Sequence, residues 1–178
     1  MSQGDRRVRR RIIIAAAVIV LITVLAAAFF FRRKAGTLLL ENVRLEEEIE
    51  RFPLSVGDEF SISYIHSVNN SPVTNFYELR DDGIYVVKTV YFGFGAGMLT
   101  ELEEGQTLSY GDDGSMIVTG FNKKIEDLIY IVGTVSDHTM TITRKPALPG
   151  IFPAKEAQVI SLRDLCGRNA MVRFTWEL

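Results

Sequence analysis

The sequence predicts an all-β domain, an antiparallel β-sandwich or barrel with one or two short helical turns, behind a single N-terminal transmembrane helix. Three observations predict it. Twenty consecutive uncharged residues, Ile12 to Phe31, lie between two clusters of basic residues. From Phe60 nearly to the C-terminus, short runs rich in Val, Ile, Tyr and Thr recur. Glycine- and aspartate-bearing turn signals separate those runs, the pattern of a sheet-on-sheet fold.

At about 1.5 Å per residue, a helix over Ile12–Phe31 is about 30 Å long, the thickness of a bilayer's hydrocarbon core. Arg6, Arg7, Arg9, Arg10 and Arg11 precede it; Arg32, Arg33 and Lys34 follow it. Five basic residues against three keep the N-terminus in the cytoplasm. Ala26-Ala27-Ala28 resembles a signal-peptide cleavage site. Phe29-Phe30-Phe31 and the basic triplet after it fit an interface and a charged stop better, so an uncleaved signal anchor is expected. The expected order is a cytoplasmic basic tail (1–11), a transmembrane helix (12–31), a juxtamembrane segment (32–52) and an extracytoplasmic β-domain (53–178). The protein is then a single-pass cell-membrane protein whose lipid contact is Ile12–Phe31.

Residues 37–52 read two ways. Leu45, Ile49 and Phe52 have helical spacing amid glutamates, whereas Thr37 to Leu40 is strand-like. Pro53 is expected to stop either structure, and Gly57-Asp58 to turn the chain. Phe60 to Val68 then alternates: Phe60, Ile62, Tyr64 and His66 share one face, and Ser61, Ser63, Ile65 and Ser67 the other. Val73–Leu79 and Ile84–Phe92 are strands around an Asp81-Asp82-Gly83 hairpin, and Asp112-Asp113-Gly114 joins Leu108–Tyr110 to Met116–Thr119. Leu128–Val135, Thr139–Thr143 and Met171–Trp176 complete the series. Thr100-Glu101-Leu102-Glu103 has capping-box spacing, and Ser161 to Leu165 is a second helical turn stopped by Gly167.

Of 20 basic and 22 acidic residues, eight and one lie in the first 34 positions, leaving 12 against 21 and a net charge of −9 beyond them. Such a domain has no basic track for phosphates, which excludes a nucleic-acid partner. Cys166 is the only cysteine, so an internal disulfide and a cysteine-rich metal site are excluded; a small buried thiol is expected there.

Few residues carry a chemical signature. His66 and Ser67 are adjacent, but neighbours on a strand point to opposite faces and do not form a base–nucleophile pair. His138 beside Asp137 is too sparse a set for a metal site. Gly93-Phe94-Gly95-Ala96-Gly97 lacks the spacing and the following long helix of a dinucleotide loop, and reads as a tightly folded contact loop. The aspartate pairs before Gly83 and Gly114 are hairpin turns without the further ligands of a calcium loop. No catalytic residue, metal or cofactor is assigned.

Tyr64-x-His66-Ser67-Val68, then Ser71-Pro72-Val73, then Tyr91-x-x-Phe94-Gly95-Ala96-Gly97 occur in order. In these the chain resembles the bacterial domain-of-unknown-function "eighteen-fifty" family. The family often has a carboxylate shortly after the Pro-Val, where Thr74-Asn75 stand here, and a proline soon after the Gly-Ala-Gly, where Met98-Leu99 stand. The resemblance implies association with TAXI-type TRAP transporters and establishes no activity. The resulting expectation is a non-enzymatic accessory subunit whose partner is a transporter permease or solute-binding protein. Tyr64, His66, Ser67, Gly93, Phe94, Gly95, Ala96 and Gly97 would be its contact residues. The alternative is a stand-alone membrane-anchored domain that binds or senses a small ligand.

Overall fold

The computed structural model describes residues 3–30, 33–68, 70–92, 102–146 and 156–178. Two compact units divide at Arg33/Lys34. The first contains helix α1 (Gln3–Phe30). Its described side chains from Ile12 to Leu25 are exposed. Among the described residues no helix is long and apolar enough to cross a membrane.

The second unit, Lys34–Leu178, is mostly strand, arranged in two antiparallel sheets as the composition predicts. The smaller has the order β2-β1-β11-β8, made of β1 (Ala35–Asn42), β2 (Glu47–Ser55), β8 (Leu128–Ile131) and β11 (Met171–Glu177). The larger has the order β10-β9-β3-β4-β5-β7-β6. It contains β3 (Glu59–His66), β4 (Ser71–Arg80), β5 (Gly83–Tyr91), β6 (Thr107–Tyr110), β7 (Met116–Ile125), β9 (Thr139–Thr143) and β10 (Gln158–Ser161).

Residues 37–52 are therefore strands and not a helix. The glutamates that favour a helix lie at the exposed turn and on an edge strand, where water solvates them. Pro53 does not end the strand. β2 continues through it to Ser55, because an edge strand has a side without a ladder and tolerates a missing N–H. Leu128 begins β8 as expected, but the strand stops at Ile131 and the segment to Val135 bends away. The expected turn at Ser161 is helix α2 (Leu162–Cys166). The Ser161 hydroxyl accepts from the Asp164 N–H, and Gly167 at φ 86° ends it. Thr100 and Glu101 of the other expected turn lie outside the described residues; Leu102 and Glu103 are not helical.

The core lies between the sheets. Phe60, Ile62, Tyr77, Leu79, Ile84, Met140 and Ile142 of the larger sheet meet Leu38, Leu40, Phe52, Leu54, Leu128, Val172 and Phe174 of the smaller. The Phe60 ring stacks on Tyr77 within its sheet and on Phe174 across the gap, at 5.0 and 5.8 Å. A second cluster, Val73, Tyr91, Met116 and Val118, fills the inner face toward β6, with Tyr64, Leu108 and Phe121 against it.

Hydrogen bonds define the two ends. Lys34 pairs with Asp81, the Val56 N–H donates to the Lys34 carbonyl, and the Trp176 indole N–H donates to the Arg80 carbonyl. The turns at 56–58, 81–82 and 126–127 thus share one end with Lys34, here called proximal. The turns at 43–46 and 111–115, residues Ser67, Val68 and Asn70, and the 132–138 connection occupy the other, distal end. The eight residues of β1 separate the ends by about 25 Å.

Candidate functional site

On β3 the inward face is Phe60, Ile62, Tyr64 and His66, as alternation predicts. Register places Tyr77, Asn75, Val73 and Ser71 of β4 opposite them. On β5 the unpaired Val87 forms a bulge that shifts the inward positions from Ile84 and Val86 to Thr89 and Tyr91. Asn75 therefore sits in a cross-strand row between Ile62 and Thr89. From the opposite sheet, Tyr130 of β8 reaches across, and His138 arrives from the β8–β9 connection.

These residues form a polar aromatic cluster at the seam between the two apolar cores. The Thr89 hydroxyl donates to Asn75 Oδ1 at 3.0 Å, and Asn75 Nδ2 donates to the Tyr130 hydroxyl at 2.9 Å. The Tyr130 and Tyr77 hydroxyls share a hydrogen bond of 2.6 Å. The His138 ring stacks on Tyr64, with centroids 5.1 Å apart and planes at 14°, and meets Tyr130 edge-on at 5.9 Å. His138 Nδ1 accepts the Gly133 N–H at 3.1 Å, which assigns a neutral ring with its proton on Nε2.

Burial raises the phenol pKa of Tyr64, Tyr77 and Tyr130, so all three stay protonated as donors. Burial also lowers the His138 pKa, against the opposing effect of Asp137. Asp137 itself is occupied: Oδ2 accepts the Ser161 hydroxyl at 2.5 Å and Oδ1 the Arg163 N–H at 3.0 Å. It ties the β8–β9 connection to α2. Among the described residues no three His, Cys, Asp or Glu side chains come together in a way that would hold a metal ion.

The sequence-based candidates separate. Tyr64 belongs to the cluster. His66 is half-buried at the distal end of β3, where its Nδ1 receives the Val68 N–H at a long 3.4 Å. It pairs in register with Ser71, whose buried hydroxyl has no partner among the described residues. Ser67 is exposed in the turn. Gly93, Phe94, Gly95, Ala96 and Gly97 lie outside the described residues. Asn75, Tyr77, Thr89 and Tyr130 escaped sequence reasoning, because their types are ordinary in strands and only the sheet pairing brings them together. Cys166 is half-buried, not fully buried, and its thiol pKa is pushed up to about 11 by burial.

The arrangement holds neutral hydrogen-bonding groups in fixed positions. It suits positioning of the distal loops. Residues 60–147 match the family described as Domain of unknown function (DUF1850). No curated protein and no solved structure matches the chain.

Proposed function

For a chain whose residues 60–147 belong to the DUF1850 family, we propose a role as a membrane-anchored, non-enzymatic accessory subunit of a TAXI-type TRAP uptake system. The observation that carries the docking part of this reading is the uneven placement of exposed apolar side chains. Among the described residues, Leu45, Ile65, Val68, Tyr110, Ile131 and Val135 lie at the distal end of the β-domain, against Val159 on edge strand β10, Leu102 ahead of β6 and Leu178 at the proximal end. Monomeric surfaces seldom gather such residues without a partner to cover them. Tyr64, His66 and Ser67 belong to the same end.

Membrane anchorage through Ile12–Phe31 is supported by the continuous helix Gln3–Phe30 and its exposed aliphatic side chains, which lipid would solvate and water would not. The basic flanks favour a cytoplasmic N-terminus and an extracytoplasmic β-domain. The TRAP association rests on the family resemblance. Affinity isolation of the full chain from native membranes in mild detergent tests the proposal. A multi-spanning permease or a solute-binding protein recovered at comparable molar yield is expected; recovery of the chain alone refutes it.

A second reading, a stand-alone small-ligand domain, draws on the buried Ser71 hydroxyl beside His66. A saturable rise in Tm with one small polar compound would favour it.

A further inference from the structure

We infer that His138 is a proton-released latch on residues 133–136 of the β8–β9 connection: the neutral imidazole ties this loop down, and the imidazolium lets it go. The latch does not depend on what the domain docks to.

The two ends of the loop are fastened without the His138 ring. At one end the Val132 N–H donates to the Ala170 carbonyl at 2.9 Å, and the Asn169 N–H to the Val132 carbonyl at 3.0 Å. At the other, Asp137 accepts the Ser161 hydroxyl and the Arg163 N–H, and the Leu162 N–H donates to the His138 carbonyl. Between these ends, among the described residues, two side chains hold the loop. His138 Nδ1 accepts the Gly133 N–H at 3.1 Å, and the Arg163 guanidinium donates to the Val135 carbonyl at 3.0 Å. The ring packs directly on the turn, since a Cβ built on Gly133 would lie 3.4 Å from His138 Cε1.

Only an unprotonated ring nitrogen accepts a hydrogen bond. Imidazolium carries N–H on both nitrogens, so Nδ1 would point a donor at the Gly133 donor, and a ring flip would present the other N–H instead. The groups around the ring offer the charge little help. Tyr64 of β3 and Tyr130 of β8 stay protonated and bring no negative charge. Asp137 favours the imidazolium, but both its carboxylate oxygens are engaged. From α2, Arg163 is already a cation, with its Nε buried and unpartnered among the described residues, and Cys166 is a neutral thiol. His66, next on the inward face of β3, repels the imidazolium when charged; Asp164 and Arg168 are exposed, and solvent screens them. Burial prevails and keeps the ring neutral while the loop is closed. Opening returns it to water and to an ordinary pKa of about 6.5. The open form therefore binds the proton more tightly, and acid favours it by up to about tenfold per pH unit below about 6.5. Val135, 94% exposed, rides on the loop, so its placement is fixed at neutral pH and released in acid.

Hydrogen exchange of the full chain in detergent micelles tests this, read by NMR as protection relative to the intrinsic rate at each pH. Between pH 7.5 and 5.5 the Gly133 amide should lose protection by about fivefold or more, while the Val132 amide keeps its own. His138→Phe leaves a flat ring against Tyr64 but has neither acceptor nor proton, so Gly133 should exchange fast at both pH values. Unchanged Trp176 emission verifies the fold of that variant, and the comparison of pH values in the wild type stands without it. Gly133 protection that is the same at both pH values in the wild type overturns the inference. Parallel loss at Val132 also overturns it, because the whole domain and not the loop is then opening. Protection at Gly133 that still falls with acid in His138→Phe overturns it too, since another group then takes up the proton.

Discussion

Replacing Tyr130 by phenylalanine removes one oxygen from the centre of the inter-sheet network. Two groups lose their partner: the Asn75 side-chain N–H, 2.9 Å away, and the Tyr77 hydroxyl, 2.6 Å away. A buried polar group left unsatisfied costs about 1–3 kcal/mol. Asn75 is only half-buried, so its share is at the low end, and the expected total is about 2 kcal/mol. Tyr77→Phe should cost less, about 1 kcal/mol, because the Tyr130 hydroxyl keeps its bond from Asn75. The double variant has no orphaned Tyr77 hydroxyl, so its cost should fall short of the two single costs together by about 1 kcal/mol. Urea unfolding of the full chain in mild detergent measures this. Trp176, the only tryptophan, is half-buried and anchored to the Arg80 carbonyl, and it reports the transition. With a slope of about 2 kcal/mol/M, Tyr130→Phe should lower the midpoint by about 1 M. A Tyr130→Phe cost under about 0.5 kcal/mol, or strictly additive variants, would refute the claim that this network couples the sheets.

Three further predictions concern separate parts of the β-domain. Gly36→Ala would place a Cβ 2.6 Å from the Trp176 ring and against the Glu177 carbonyl oxygen; it should cost about 1–3 kcal/mol and shift Trp176 emission, whereas unchanged emission and stability would contradict the packing. Burial lowers the His138 pKa in the folded state, so the unfolded chain takes up the proton first and stability should decline as pH falls below about 6.5. His138→Gln should flatten that slope and leave the acid loss near pH 4 and below, where Asp113 and Asp137, whose pKa values are lowered, titrate; equal slopes in variant and wild type would dismiss the assignment. Cys166, with its thiol pKa near 11, should react with a thiol reagent at pH 8 about a hundredfold more slowly than an unhindered cysteine.

Much of the fold was legible because local signals and tertiary structure agree. The Asp81-Asp82-Gly83 and Asp112-Asp113-Gly114 turns both close hairpins, and the Phe60–His66 alternation is the inward face of β3. Leu45, Ile49 and Phe52 leave residues 37–52 open in the sequence, and the structure decides for strands because helical spacing at three positions is weaker than pairing of β2 with β1. Asp58 read only as a turn residue. It is in fact 2% exposed, and its carboxylate accepts the Ser55 and Lys145 N–H groups, holding two segments 87 residues apart. The site was half legible. Tyr64 shared a face with apolar residues, but Thr89 turns inward only because Val87 is bulged, and Tyr130 matters only because β8 lies opposite β4. Neither the bulge nor the sheet pairing leaves a mark in residue types alone.

The polar cluster and the β8–β9 connection are two parts of one construction. An apolar seam would hold the sheets together about as well, since burying paired polar groups yields little net stability. Directional bonds add something that apolar contact lacks: a single relative placement of the partners. Tyr130 can reach Tyr77 and Asn75 in only one alignment of β8 on β4, and His138 can stack on Tyr64 while accepting from Gly133 in only one setting of the β8–β9 connection. Asp137 then fixes the same connection to Ser161 and Arg163, and Arg163 holds the carbonyl of Val135. A continuous chain of contacts therefore runs from the buried seam to the most exposed valine of the domain. A variant that loosens the seam, such as His138→Gln, should speed hydrogen exchange at the Gly133 amide, which His138 holds. Exchange there that stayed at the wild-type rate would uncouple the two.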